Sequence, residues 1–107
     1  MAHYLVEARP TGSLSELRRE LDAGDVHMLR PFGPSLDMSL RNARVKPDGT
    51  AVWEELDYCS PPLAEERAAV LDRFFDAITT ETVEEGEGWR RIQGYPSLWD
   101  TRGDTSR

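Results

Sequence analysis

Ala43-Arg44-Val45-Lys46-Pro47-Asp48-Gly49-Thr50-Ala51-Val52-Trp53 is the stretch on which the fold class turns. Proline at the first turn corner, aspartate beside it and glycine where φ must be positive describe a type I turn with a glycine bulge, which joins antiparallel strands. A β-hairpin is therefore expected here. Its second strand, Ala51 to Tyr58, alternates Val52, Glu54, Leu56 and Tyr58 with Ala51, Trp53, Glu55 and Asp57. The first set reads as the core face, with Glu54 lying within it.

On the N-terminal side of the hairpin, His3 to Ala8 alternates in the same manner and predicts a strand. Ser13 and Glu16 have capping-box spacing, so a helix is expected from Leu14 to Ala23, with Leu14, Leu17 and Leu21 on one stripe and Gly24 just past its end. Val26 to Arg30 reads as a short strand, stopped by Pro31-Phe32-Gly33-Pro34. Residues 35–43 fit either a strand or a short helix; the helix or turn is preferred, with a strand from Arg41.

On the C-terminal side, Ser60 as N-cap and Pro61 at the first helical position open the longest expected helix, Leu63 to about Thr79. Its apolar face carries Leu63, Val70, Leu71, Phe74, Phe75 and Ile78. Trp89 to Gln93 reads as a last strand, and residues 94–99 as an irregular segment packed through its aromatics. From Asp100 onward no apolar residue remains, and residues 100–107 are expected to form a disordered tail to a single domain over residues 1–99.

The element order β-α-β-β-α-β resembles that of ferredoxin-like domains, an α+β class in which two helices cover one face of an antiparallel sheet. The resemblance is one of element order alone, over residues 3–93. It implies an open second face, on which Trp53 and Trp89 are expected to favour a sheet-to-sheet homodimer or a ligand groove.

The 107 residues suffice for one hydrophobic core, with roughly two-thirds of the chain's surface buried on folding. Twenty acidic against thirteen basic residues give a net charge of −7, which opposes nucleic-acid backbones and anionic membrane surfaces. No apolar run reaches the roughly 20 residues that span a bilayer. The N-terminus lacks the pattern of a secretory signal and Cys59 is the single cysteine, so a cytoplasmic protein without disulfides is expected.

The chemistry-bearing candidates are few. Cys59 lies just before an expected helix N-terminus, where the helix dipole would lower a thiol pKa. Glu54 on an apolar strand face is the carboxylate whose pKa burial would raise, as a general base needs. His27 is the imidazole that could shuttle a proton beside them. Trp53, Tyr58 and Trp89 are candidate ligand-lining aromatics. No zinc-ligand spacing, glycine-rich phosphate loop or hydrolase elbow occurs, so neither a metal nor another cofactor is expected.

Two functions are consistent with this pattern. One is a non-catalytic interaction or scaffold domain that homodimerises through its open sheet face. The other is a cofactor-independent enzyme or small-molecule binder of the dimeric α+β barrel type, taking a small apolar ligand. The acidic run Glu81, Glu84, Glu85 and Glu87 would suit a basic protein partner.

Overall fold

A computed structural model describes residues 2–100. The chain runs β1 (Ala2–Pro10), α1 (Leu14–Ala23), α2 (Gly33–Arg41), β2 (Arg44–Val45) and β3 (Ala51–Asp57). A third helix, α3, joins Ala64–Glu66, a π-helical turn Arg67–Leu71 and Asp72–Phe74; β4 (Phe75–Val83) and α4 (Glu87–Ile92) follow. The strands form a four-stranded sheet in the order β2-β3-β1-β4, every neighbouring pair antiparallel. The class is α+β.

The hairpin forms as its sequence dictates. Lys46 N–H donates to Thr50 O at 2.9 Å, Gly49 N–H donates to Lys46 O at 2.9 Å, and Gly49 takes φ 91°. The Ser13 hydroxyl accepts from Glu16 N–H at 3.2 Å and Gly24 closes α1 at φ 85°, so both ends of that helix lie where the caps put them. Residues 35–41 are helical, the preferred of the two alternatives.

Three expected elements are different. Val26–Arg30 is a series of turns: Met28 N–H donates to Gly24 O, Leu29 N–H to Val26 O, and the Arg30 guanidinium folds back onto the His27 carbonyl at 3.2 Å. The long helix stops at Phe74, because Ile78-Thr79-Thr80-Glu81-Thr82-Val83 is rich in β-branched residues and Phe75 is already extended, at φ −139°. Trp89–Gln93 belongs to a helical region, since Trp89 and Ile92 are spaced i, i+3 and put a helical face on the sheet.

The core lies chiefly on the face formed by Val6 and Ala8 of β1 with Ala51 and Trp53 of β3, Val6 pairing with Trp53 and Ala8 with Ala51. Leu17 and Leu21 of α1, Leu36 and Leu40 of α2, and Val70, Leu71 and Phe74 of α3 fill it. Trp53 is fully buried, its ring 5.4 Å from that of Phe75. This is the face that the alternation pattern ranked second; Glu55 and Asp57 at its far end disguised it. Three helices, rather than two, contribute to it.

The second face is not bare. Leu5, Val52 and Val83 pack there against Ile92 of α4, with Trp89 and Tyr95 beside them. Beyond this small cluster the face is polar: Glu7 carries an ion pair to Lys46, and Glu81 one to Arg91. Because β2 is only two residues long, β3 outruns it, and the Ser39 hydroxyl of α2 donates to the Glu54 carbonyl at 2.8 Å along the uncovered edge. The outer edge of β2 is covered by the C-terminal segment: Val45 N–H donates to Pro96 O at 2.9 Å, and Leu98 N–H donates to Ala43 O at 2.8 Å. Residues 101–107 of the expected tail lie outside the described residues.

Candidate functional site

Alternation along β3 sends Glu55 and Asp57 to the helix-covered face, and the chain then turns through residues 58–63 into α3, which carries Glu66. The turn is held by Asp57, whose Oδ2 accepts the N–H groups of Leu63 at 2.6 Å and Cys59 at 3.1 Å. Leu63 is held there with φ 65°. Asp57, Cys59 and Glu66 thereby converge, with one ligand-capable atom from each lying within 4.8 Å of the others. Cys59 Sγ lies 3.8 Å from Glu66 Oε1.

Glu55 and Glu66 are fully buried and Asp57 nearly so. Burial pushes Glu55 up to about 8, aided by the negative charge of Glu66. Burial likewise pushes Glu66 up to about 7, with a proton held toward Asp57 raising it further. Burial works against the Asp57 charge, yet the bond from Glu66 and the N–H groups of Leu63 and Cys59 hold its pKa below the ordinary value. No Arg, Lys or His forms an ion pair with any of the three among the described residues. A hollow of about 90 Å³ adjoins the cluster, lined in part by Phe32, Ser35, Tyr58, Cys59 and Glu66. It has room for a few waters.

The backbone N–H of Glu65 favours the Cys59 thiolate, but burial and the charges of Asp57 and Glu66 outweigh it, and the thiol pKa is pushed up. The expected dipole activation is overridden by two carboxylates near in sequence, Asp57 two positions before the thiol and Glu66 seven after it. Burial-driven elevation falls on Glu55 of the helix-covered face. Glu54 is instead anchored by three backbone N–H groups: Gly88 at 2.7 Å, Gly86 at 2.8 Å and Trp89 at 3.2 Å. His3 Nδ1 completes its surroundings at 3.4 Å from Oε2.

His27, Glu54 and Cys59 do not share a hollow. Glu54 lines one of about 280 Å³ with His3 and Trp89, Cys59 lines the small one described above, and His27 is exposed in the turn between α1 and α2. The three candidate aromatics separate likewise, with Trp53 in the core, Tyr58 exposed at the mouth of the acidic cluster, and Trp89 half-buried on α4. Glu55, Glu66 and Asp57 were missed as a group. Two acidic residues on one strand face, followed nine residues later by another within the first turn of a helix, is the one signal that could have marked them.

Between α2 and α4 runs a groove of about 450 Å³ lined by Met38, Asn42, Arg44, Trp89, Arg90 and Gln93. It meets the hollow at His3 and Glu54 through Met38 and Trp89. Arg44 and Arg90 stand out electrostatically. Among the described residues they and Arg30 are the arginines with no ion pair to a carboxylate, the others being matched to Asp or Glu. Arg44 donates to the Tyr95 carbonyl at 2.8 Å, which leaves its charge uncompensated.

No family model, curated protein or solved structure matches this chain. Among the described residues no helix is long and apolar enough to cross a membrane.

Proposed function

We propose that this chain is a small-molecule binding domain whose groove between α2 and α4 takes a small anion with an apolar, planar body. The observation that carries this reading is the pairing of Arg44 and Arg90 in one groove of an otherwise acidic protein. Cations left without carboxylates, beside the half-buried ring of Trp89, suit a carboxylate or phosphate head with an aromatic body. The volume is that of small-ligand sites. Strand order supports a ferredoxin-like scaffold, since from the opposite edge it reads β4-β1-β3-β2 with α1 and α3 following β1 and β3. The probe is phenylacetate, followed through the Trp89 indole N–H resonance. Saturable shifts that weaken about tenfold in Arg90→Gln and with added salt are expected; no saturable shift, or one indifferent to Arg90→Gln, overturns the reading.

A second reading, the non-catalytic interaction domain that homodimerises through its sheet, is favoured by β4. Among the described residues this nine-residue strand pairs only with β1, and its outer edge has exposed residues from Thr79 to Thr82. Such an edge is a template for a second copy. Sedimentation velocity at micromolar protein is expected to show a dimer on this reading, and a monomer at all concentrations overturns it. A basic protein partner would instead meet Glu84 and Glu85, both exposed beyond β4, and would be released by salt.

A further inference from the structure

We infer that Asp57, Cys59 and Glu66 form a binding site for a divalent transition-metal ion of the zinc class. The inference concerns the opposite end of β3 from the hairpin and does not rest on the groove between α2 and α4. Three facts lead to it.

First, the ligand atoms stand near coordination spacing. Two donors bound tetrahedrally to zinc, a thiolate at about 2.3 Å and a carboxylate oxygen at about 2.0 Å, are about 3.5 Å apart. Cys59 Sγ and Glu66 Oε1 lie 3.8 Å apart, and Asp57 lies within 4.8 Å of both. Only small side-chain rotations separate this arrangement from a bound one. Asp57 Oδ2 accepts the N–H groups of Leu63 and Cys59, which fixes the carboxylate as outer hydrogen bonds fix metal ligands elsewhere.

Second, a buried carboxylate oxygen of the cluster itself has no donor. Glu66 Oε2 is buried, belongs to a side chain with 0% exposure, and accepts no hydrogen bond from any donor among the described residues, whereas the equally buried Glu55 has the Trp53 indole as a donor that favours its charged form. Buried acceptors are normally satisfied, and orphaned ones point to an absent proton or ion. Ser35 Oγ donates to Glu55 Oε2, at 3.4 Å.

Third, among the described residues no side-chain cation forms an ion pair with the cluster. Protons can balance its charge in part, through the Asp57–Glu66 contact, but a doubly charged ion would offset two of the three negative charges that both carboxylates and the thiolate carry when ionised. The adjoining hollow of about 90 Å³ gives room for a water in the fourth position. A thiol among the ligands argues for zinc-class ions rather than magnesium or calcium, which prefer all-oxygen sets. Glu55 lies next to the ligands and would act as an acceptor for that water or as an outer partner of Glu66.

The test uses the full chain, reduced with a non-thiol reductant, and Co²⁺ and Zn²⁺ salts alone. Titration with Co²⁺ is expected to give a near-ultraviolet thiolate-to-cobalt charge-transfer band that saturates at one equivalent and is bleached by Zn²⁺. Cys59→Ser is expected to abolish the band, and Glu66→Gln to weaken binding roughly tenfold or more. Circular dichroism reports whether either variant is folded, and the unaltered chain alone decides the matter if one is not. No saturable band in the unaltered chain, Co²⁺ binding without thiolate character, or a band indifferent to Glu66→Gln in folded protein overturns the inference.

Discussion

Gly88 N–H donates to Glu54 Oε1 at 2.7 Å, tying the first turn of α4 to the middle of β3 across 34 positions of sequence. The approach is so close that a Cβ on residue 88 would sit 2.9 Å from that oxygen and 3.1 Å from Glu54 Cβ. Gly88→Ala is therefore expected to destabilise the protein by roughly 1–3 kcal/mol through overpacking. Glu54→Ala strands the N–H groups of Gly86, Gly88 and Trp89 and is expected to cost a similar amount. Because both changes act on one contact, the double variant in urea denaturation should lose less than the sum.

Acidity should stabilise the metal-free protein through Glu55. Its folded pKa of about 8 lies above the ordinary 4.5, so the native state holds a proton that the unfolded chain releases. The contribution is fully present below about pH 4.5 and is lost as pH rises through 8, at up to about 1.4 kcal/mol per pH unit. Glu55→Gln, measured with chelator present, should flatten the fall in urea midpoint across that window and be the more stable protein at pH 8. A Gln variant with the same slope would show that another group sets it.

Cys59 should alkylate slowly. With its pKa raised by burial and by the charges of Asp57 and Glu66, despite the Glu65 N–H, little thiolate exists near neutrality. Iodoacetamide is expected to react more slowly at pH 7 than with free cysteine, and the rate should still be climbing at about pH 9. A plateau below neutrality would contradict the geometry.

Trp53→Ala should be the most damaging single truncation, at roughly 3–5 kcal/mol, since the side chain is fully buried against Phe75 and the strand partner Val6. Chemical denaturation with an independent probe such as circular dichroism measures it. A loss below about 1 kcal/mol would mean that the principal core lies elsewhere.

Trp99→Phe removes the indole donor that bonds the Leu40 carbonyl at the end of α2, and weakens the stacking of Arg18 over the ring. A cost of roughly 0.5–1.5 kcal/mol is expected, accompanied by faster amide exchange at Leu98, whose N–H bonds Ala43. Unchanged exchange there would show that the segment is held without the indole.

The sequence is legible where the chemistry is local. The Pro47-Asp48-Gly49 turn and the Ser13 cap are each decided within a few residues. Long-range competition defeated the rest. Phe75 and Ile78 continue an apolar helical stripe on paper, but β1 offers a partner for the β-branched run after them, and the strand wins. Glu55 and Asp57 made the true core face look polar, because their partner across the fold, Glu66, is identifiable only once α3 is docked. Trp89 looked like a strand residue until Glu54 supplied the anchor for a helix start. The candidate site was half visible, through Cys59 and its acidic surroundings, with its chemistry reversed by those same acids.

The covering of β2 by the C-terminal segment gives the sheet one closed flank and one open flank, β4. Growth by edge pairing needs two open flanks on each unit. Two copies joined through β4 about a twofold axis would have none left, so any assembly of this kind is self-terminating and does not propagate into a filament.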